Sequence, residues 1–167
     1  QHQGSDVADT ARYEYDSRNR IIATIDANGH RSTTEYDLRG NIIATTDALQ
    51  RRTTMTYDVY GNLLQTTYPD NSTRSNSYDA ENNRLSETDR NGNTTHYAYD
   101  ALNRVIKTTH PDGSQQHTEY DAAGRISAEI DANGNRTEYE YDAADRRTDP
   151  ANARAGVRVA DGAVHRL

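Results

Sequence analysis

The stretch from Tyr120 to Asp142 reads YDAAGRISAEIDANGNRTEYEYD, and it opens and closes on the same Tyr-Asp pair. The pair returns after 21 residues, and the rest of the chain keeps that interval. A fixed period of this length is the signature of a repeat architecture, in which each repeat is completed by its neighbours. Seven pairs share the period: Tyr15-Asp16, Tyr36-Asp37, Tyr57-Asp58, Tyr78-Asp79, Tyr99-Asp100, Tyr120-Asp121 and Tyr141-Asp142.

Two positions of each repeat carry residue types that tolerate a positive φ angle. With the Tyr as position 1, position 5 holds Gly, Asn or Asp throughout, and position 15 holds Gly in most repeats. Because such residues enter the left-handed backbone region at low cost, both positions are predicted to be turns. Asn-Gly and Asp-Gly at the second turn are typical of a two-residue type I′ hairpin. Seven of the ten glycines fall at these positions: Gly29, Gly40, Gly61, Gly92, Gly113, Gly124 and Gly134.

The segments between the turns have the length and composition of β-strands. Positions 6 to 11 carry aliphatic pairs such as Ile21-Ile22, and the segment from position 16 to the next Tyr is rich in Thr and Tyr. Neither segment shows the spacing of a helix. Each repeat is therefore predicted to be one β-hairpin, and successive hairpins are expected to pair into an all-β array of antiparallel β-hairpins. In that array each Tyr lies beside an aliphatic strand.

The composition argues against several classes of protein. A formal net charge of −7 with scattered basic residues disfavours a nucleic-acid binder. The lack of cysteine excludes disulfides and thiolate metal sites, and no apolar run approaches the roughly 20 residues of a membrane span. The chain has 12 Tyr but no Phe, so Tyr is expected to supply much of the buried area, and a conventional globular core is not expected.

The repeat pattern divides the chain into three parts. The array is predicted to occupy 13–146, after a partial repeat or irregular segment at 1–12. Tyr13 has the place in the repeat that Tyr97 and Tyr139 have, so the chain is expected to begin inside an earlier hairpin of a longer protein. The tail at 147–167 is rich in Ala and Arg and contains no Tyr. It is interpreted either as a region of different structure or as a product of translation in the wrong frame, and we favour the second.

These residues resemble the YD-repeat, or RHS-repeat, family, whose repeats run Tyr-Asp-x-x-Gly-Arg, then aliphatics and Thr, then Asp-x-x-Gly or Pro-Asp-Gly, then Thr and Tyr. The stretch from Tyr120 fits that pattern throughout, and YDALNRVIKTTHPDGS from Tyr99 fits it with Asn103 in place of Gly. The resemblance implies a twisted sheet that forms a segment of a spiral shell. Bacterial RHS toxins and insecticidal toxin complexes enclose a C-terminal toxin in such a shell, and the animal teneurins carry a related barrel at the cell surface.

The resemblance also implies a function. The chain is expected to be a structural shell segment, in a secreted or cell-surface bacterial protein, that encapsulates or presents a toxin effector. Its expected partners are other repeats of the same parent chain and an enclosed toxin domain. Family shells usually end in a self-cleaving segment built around Asp-Pro-x-Gly, but Asn152 stands where Gly is expected after Asp149-Pro150, so self-cleavage is not carried over. The alternative is a carbohydrate-binding or adhesion module whose Tyr rings stack on cell-surface glycans.

No arrangement of residues predicts catalysis. The aspartate after each Tyr is interpreted as the start of an Asx turn and not as a metal ligand, since equivalent residues would lie about 10 Å apart. The stretch DRNGNTTHYAYD that begins at Asp89 has some ligands of a calcium loop, but its Gly92 is fourth instead of sixth. His96, His110 and His117 lack the spacing of a zinc motif. We therefore predict no enzyme activity, no catalytic residue, no metal and no cofactor.

Overall fold

The structure, a computed structural model, describes residues 11–148. The predicted segment at 1–12 and the predicted tail at 147–167 fall almost entirely outside the described residues, as do Asp149 and Pro150. Within 11–148 every regular element is a β-strand. This part of the chain has no helix of the length and apolarity that a membrane crossing requires.

The strands of residues 11–148 follow the two segments predicted for each repeat. The first segment forms a strand at positions 7 to 11, and the second forms a strand from position 17 to the next Tyr. The strands are β1 (Arg12–Tyr15), β2 (Ile21–Ile25), β3 (Arg31–Tyr36), β4 (Ile42–Thr46), β5 (Arg52–Tyr57), β6 (Leu63–Thr67), β7 (Thr73–Tyr78), β8 (Arg84–Thr88), β9 (Thr94–Tyr99), β10 (Val105–Thr109), β11 (Gln115–Tyr120), β12 (Ile126–Ile130), β13 (Arg136–Glu138), β14 (Glu140–Tyr141) and β15 (Arg147–Thr148).

The chain divides into two compact units, residues 1–97 and 98–167. In the N-terminal unit the strands from β1 to β9 pair antiparallel in sequence order. In the C-terminal unit β10 to β13 follow the same order, and β14 pairs with β15 as a separate hairpin. The predicted all-β array of antiparallel hairpins, one per 21-residue repeat, is confirmed.

Both turns of the repeat form the same hairpin loop. At the first turn the Asn19 N–H donates to the Asp16 C=O at 3.0 Å, and the Asp16 N–H donates to the Arg20 C=O at 3.0 Å. The same two bonds recur at the second turn, where Asp26 and Gly29 take the places of Asp16 and Asn19. Positions 5 and 15 have φ values between 58° and 102°. The residue before Gly29 has no positive φ, so the expected type I′ turn was wrong and the loop is a type I turn closed by one left-handed residue.

A β-bulge recurs at five of the position-1 tyrosines, where the strand that ends on the Tyr meets the next strand. Tyr15 lies opposite Ile21 and Glu14 lies opposite Ala23, so Ile22 is an extra residue on β2. The Tyr lies opposite an aliphatic residue, as predicted, in four of these pairings, whereas Tyr78 lies opposite Arg84. The extra residue interrupts the alternation of side chains between the two faces of the sheet. Alternation alone therefore does not show which faces positions 7 and 8 occupy. The same shift follows Glu35, Thr56, Ser77 and Glu119.

The described residues form no conventional core. Their buried hydrophobic side chains are three alanines at position 9, Ala23, Ala44 and Ala128, which are 1%, 1% and 0% exposed. Thr66 is the buried polar residue, and no large side chain in residues 11–148 is fully buried. Stability must therefore come from contacts that recur between neighbouring hairpins, as in other repeat proteins.

Candidate functional site

The aspartate at position 2 organises the first loop of each repeat. Oδ1 of Asp16 accepts the N–H groups of Arg18 at 2.8 Å and Arg20 at 3.0 Å, while Oδ2 accepts the Nε–H of Arg20 at 2.7 Å. The backbone and side-chain donors of Arg20 hold the pKa of Asp16 below its ordinary value, because hydrogen bonds to a carboxylate favour its charged form.

All seven position-2 aspartates make these bonds. The partner at position 6 is Arg in four repeats and Asn in three, and its side chain donates to Oδ2 of the aspartate in every case. The pKa of each of these carboxyls lies below its ordinary value. The geometry is that of an Asx turn, and the carboxylates that it engages in loop closure are Asp16, Asp37, Asp58, Asp79, Asp100, Asp121 and Asp142.

The tyrosine at position 1 reaches back to the preceding repeat. The Tyr36 hydroxyl donates to the Ile21 C=O at 3.0 Å. A hydroxyl that must meet a backbone carbonyl explains why Tyr and not Phe stands at this position. The same bond joins Tyr57 to Ile42 at 2.8 Å, Tyr78 to Leu63 at 3.3 Å, Tyr120 to Val105 at 2.9 Å and Tyr141 to Ile126 at 2.8 Å.

Arginine at position 6 connects the aspartate to the next tyrosine. The Arg20 guanidinium is paired with Asp16 at 2.6 Å, and it lies over the Tyr36 ring, 4.4 Å from the ring centre. Cation–π contacts of this kind contribute roughly 0.5–1 kcal/mol at exposed sites. We call the connected set of aspartate, arginine, next tyrosine and its carbonyl acceptor the tyrosine brace. Two further braces place Arg104 over Tyr120 at 4.2 Å and Arg125 over Tyr141 at 4.4 Å.

A second kind of link crosses the sheet in three repeats. Glu14 on β1 pairs with Arg31 on β3 at 2.5 Å, so the ion pair spans β2, which lies between them. Ala23 stands on β2 opposite Glu14, and it is 1% exposed. We call such a pair a strap. Equivalent straps join Glu35 to Arg52 across the strand of Ala44, and Glu119 to Arg136 across the strand of Ala128.

The straps were missed by the sequence analysis, although the chain contains their signal. Three positions vary together, namely position 9, position 17 and position 21 of the preceding repeat. In three repeats position 9 is Ala, position 17 is Arg and the preceding position 21 is Glu. The repeats with Gln65, Ser86 or Lys107 at position 9 have neither partner. A small side chain is required beneath the pair, because a longer one would occupy the space that the ion pair crosses.

The other candidate residues are not brought together into a site. Asp89, at the start of the candidate calcium loop, closes its own hairpin by accepting the N–H groups of Asn91 and Asn93. His96 lies on β9 opposite Ser86, and His117 lies on β11 opposite Lys107 and Ile130. In residues 11–148 no three metal-ligating side chains converge.

The chain is similar in fold to parts of toxin complexes. The crystal structure of TcdB2-TccC3-Cdc42 matches 85% of this chain with a TM-score of 0.67 and 20% identity, and the Tc holotoxin pore of Photorhabdus luminescens matches 82% with a TM-score of 0.64 and 21% identity. TcdB2-TccC3 without its hypervariable C-terminal region matches 82% with a TM-score of 0.63 and 20% identity. The matches span 9% of each of those chains. No curated protein sequence matches this one.

The family match covers nearly the whole sequence. The sequence model of the teneurin YD-shell family matches residues 2–158, a range that includes every described strand. The Tyr-Asp period, the paired hairpins and the repeated braces agree with this match and with the YD-repeat resemblance of the sequence. The chain therefore belongs to the teneurin YD-shell family.

Proposed function

We propose that this chain is a stretch of shell wall in a secreted bacterial protein, and that the wall encapsulates or presents a toxin effector for delivery. Membership of the YD-shell family supports the structural role. The likeness in fold to toxin-complex structures supports a toxin as the enclosed partner. The role is non-enzymatic, and the immediate partners are further repeats of the same parent chain.

The tyrosine brace is the observation that carries this proposal. Asp16 binds Arg20, Arg20 covers Tyr36, and Tyr36 binds the Ile21 carbonyl, so the polar groups of one repeat are engaged with the next. The arginine contact occurs in three repeats, and the tyrosine bond to the preceding repeat recurs in five, so contacts between neighbouring hairpins repeat along the sheet in one direction. A wall requires such continuity, whereas catalysis requires unlike groups concentrated at one place.

The carbohydrate-binding alternative receives no support from the six tyrosine rings that lie beneath an arginine. Stacking on a sugar requires an open ring face, but Tyr97 lies beneath Arg84 and Tyr139 lies beneath Arg147, at 5.1 and 3.6 Å from the ring centres. A glycan would have to displace a guanidinium that already occupies the ring face. We therefore include no glycan among the proposed partners. Arginine also covers the rings of Tyr36, Tyr68, Tyr120 and Tyr141.

The proposal is tested in the full-length protein that carries these repeats. Removing three whole repeats, residues 36–98, interrupts the wall and keeps the period of the rest. We expect the enclosed domain to become accessible to an added protease and its toxicity after delivery to be lost. The control is Leu38→Ser, at a loop side chain that is 87% exposed, which should keep full protection. Equal protease resistance of the deletion variant and the parent would contradict encapsulation.

A further inference from the structure

The two faces of the sheet in the N-terminal unit differ in chemistry. Side chains alternate between faces along a strand, so on β3 the strap residue Glu35 shares one face with Thr33. Thr34 and the brace residue Tyr36 share the opposite face. We call these the strap face and the tyrosine face.

The strap face has the character of a solvent-facing surface. Each of the four side chains in its two ion pairs is between 46% and 49% exposed. At position 21 of this face, Glu35, Thr56 and Ser77 are all exposed. Glu and Arg are seldom buried, and on this face they lie above Ala23 and Ala44, which are each 1% exposed, so the charged groups and not the alanines meet the water. The strap face is therefore suited to solvent.

The tyrosine face carries a row of half-buried side chains across neighbouring strands. The side chains at position 20 of this face are half-buried: Thr34, Met55 and Asn76. Thr34 lies opposite Thr45, which in turn lies opposite Thr53. A row of threonine side chains thus crosses three neighbouring strands on this face.

Two open concavities of the N-terminal unit are lined mainly by residues of the tyrosine face, with Thr33 of the strap face in both and Glu35 in the smaller one. One, of about 650 Å³, extends from the threonine row to Tyr68 and Arg90. The other, of about 510 Å³, is lined by Tyr36 and Ile43, and both concavities include Thr34. The Arg90 side chain reaches this concavity from the loop after β8, because it lies over the Tyr68 ring and pairs with Asp70 in the loop after β6. Three neighbouring strands and the loop after β6 thus line one open hollow, so the tyrosine face is concave at this place.

The charges on the tyrosine face are largely neutralised. Elsewhere on the face Glu87 lies between Arg74 and Arg84 and pairs with both. The face thus offers hydroxyls and stacked rings with little free charge, so it has no electrostatic preference for one partner sequence over another. The arginines that line the concavities are paired: Arg20 with Asp16 at 2.6 Å, Arg51 with Asp47 at 2.7 Å and Arg90 with Asp70 at 2.5 Å.

We infer that the tyrosine face lines the interior of the shell and that the strap face is its outer surface. The inference rests on the proposed function, because the wall of a closed container curves toward its contents and its concave face is therefore the inner one. The contents lie against threonine hydroxyls and arginine-stacked tyrosines, and the ion pairs meet solvent. The partner that this inner face fits is an enclosed polypeptide segment held by weak polar contacts that depend little on its sequence.

Cysteine labelling distinguishes the two faces in the full-length protein. The chain has no cysteine of its own, so Ser32→Cys places one thiol on the tyrosine face and Ser77→Cys places one on the strap face, after any cysteines elsewhere have been replaced. Both serines are exposed residues on strands, which makes the two sites a matched pair. Each variant is treated with N-ethylmaleimide, a small reagent, and with a maleimide on a polyethylene glycol too large to enter a shell.

We expect both reagents to label Ser77→Cys, and the large reagent to lose nearly all labelling of Ser32→Cys until urea opens the protein. The reversed pattern would overturn the assignment of the faces and leave the shell in place. Exclusion of the large reagent from both sites would overturn the outer position of the strap face. Equal labelling of both native variants by the large reagent would show that neither face is enclosed, and the proposed function would then fail. Thr45→Cys and Thr56→Cys provide a second pair on the same faces if a serine variant does not fold.

Discussion

The loops at positions 2 to 6 and those at positions 12 to 16 have the same backbone bonds, and four of the second loops have the same capping aspartate as the first, yet the two kinds of loop connect differently to the rest of the sheet. Asp121 and Asp131 each accept two backbone N–H groups from their own loop. Arg125, bound to Asp121, continues to Tyr141 and donates to Asp145 of the next repeat. The side-chain bond of Asn135 to Asp131 stays within one loop.

The difference teaches that forming a hairpin and attaching it to the next hairpin are separate tasks. The loop bonds alone form the hairpin, and they occur at both edges of the sheet. The braces attach one repeat to the next, and they lie at the edge that carries the Tyr-Asp pairs, which we call the brace edge. Arg90 is the counterpart at the opposite edge, since it covers Tyr68 and pairs with Asp70 of the preceding repeat.

Acid is expected to weaken both edges together, and this is the largest predicted effect. Thirteen capping or loop aspartates have a pKa below the ordinary value. A carboxyl whose pKa is lowered by folding stabilises the fold above its unfolded pKa, and that contribution is lost as the pH falls through the folded pKa. The thermal midpoint, followed by circular dichroism, should be level near neutral pH and fall steeply below about pH 4. A midpoint that stays level down to about pH 3 would contradict this role of the aspartates.

Removal of a whole brace ring is expected to have the next largest effect. Tyr120→Ala deletes the half-buried ring, its bond to the Val105 carbonyl and its contact with Arg104. We expect a loss of about 2 kcal/mol in the free energy of unfolding, measured with urea. Tyr60→Ala is the control, because the Tyr60 side chain is 72% exposed and its removal should change stability little. Similar losses in the two variants would mean that the brace ring contributes no more than a surface tyrosine.

A methyl group added at one glycine of each edge compares the edges directly. Gly124 and Gly134 have φ angles of 86° and 84°, so Ala at either site should cost about 1–2 kcal/mol of backbone strain. The added Cβ at Gly124 would lie 3.4 Å from Nη1 of Arg104, whereas the one at Gly134 meets nothing within 4 Å. Since that separation is an ordinary contact with the end of a flexible side chain, we expect similar losses for Gly124→Ala and Gly134→Ala in urea unfolding. A clearly larger loss at Gly124 would show that the brace arginine confines this glycine.

The hairpin array could be predicted from the sequence because its determinants are local. Asn19 and Gly29 occupy turn positions whatever the neighbouring repeat contains, and the spacing between them fixes the strand lengths. The turn type was predicted incorrectly, because Asn-Gly is also compatible with a type I turn closed by glycine. The distinction depends on whether one or two residues adopt positive φ, which residue preference alone does not decide.

The bulge, the braces and the straps depend instead on the register between strands. Ile22 and its neighbour both look like ordinary strand residues, and nothing local indicates that one of them is extra. The bond from Tyr36 to the Ile21 carbonyl joins residues 15 apart, and the strap from Glu14 to Arg31 joins residues 17 apart. Such distances become contacts only after the pairing is known, although joint variation of positions 9, 17 and 21 would have revealed the straps.

Loss of the brace hydroxyl alone is expected to have a smaller effect than loss of the ring. Tyr120→Phe keeps the ring beneath Arg104 but leaves the Val105 carbonyl without its donor. We expect a loss of about 1 kcal/mol in urea unfolding, the usual contribution of one hydrogen bond. Tyr60→Phe should leave stability unchanged, since no bond of the Tyr60 hydroxyl supports the brace. If Tyr120→Phe matched Tyr120→Ala, the carbonyl bond would account for nearly the whole contribution of the brace.

The straps are expected to have the smallest effect, and salt should remove it. Arg136 and Glu119 are 41% and 48% exposed, so water and ions compete with their contact. A double-mutant cycle with Arg136→Gln and Glu119→Gln should give a small favourable coupling at low salt and little at about 1 M salt, because dissolved ions compete with and screen an exposed pair. Arg136 also contacts Glu138, so the cycle is needed to isolate the strap from that second pair. Coupling that persisted in high salt would show that the strap stabilises the sheet by covering Ala128, which is 0% exposed, and not by charge. In the three repeats that have them, the straps would then act as packing elements on the side of the sheet opposite the braces.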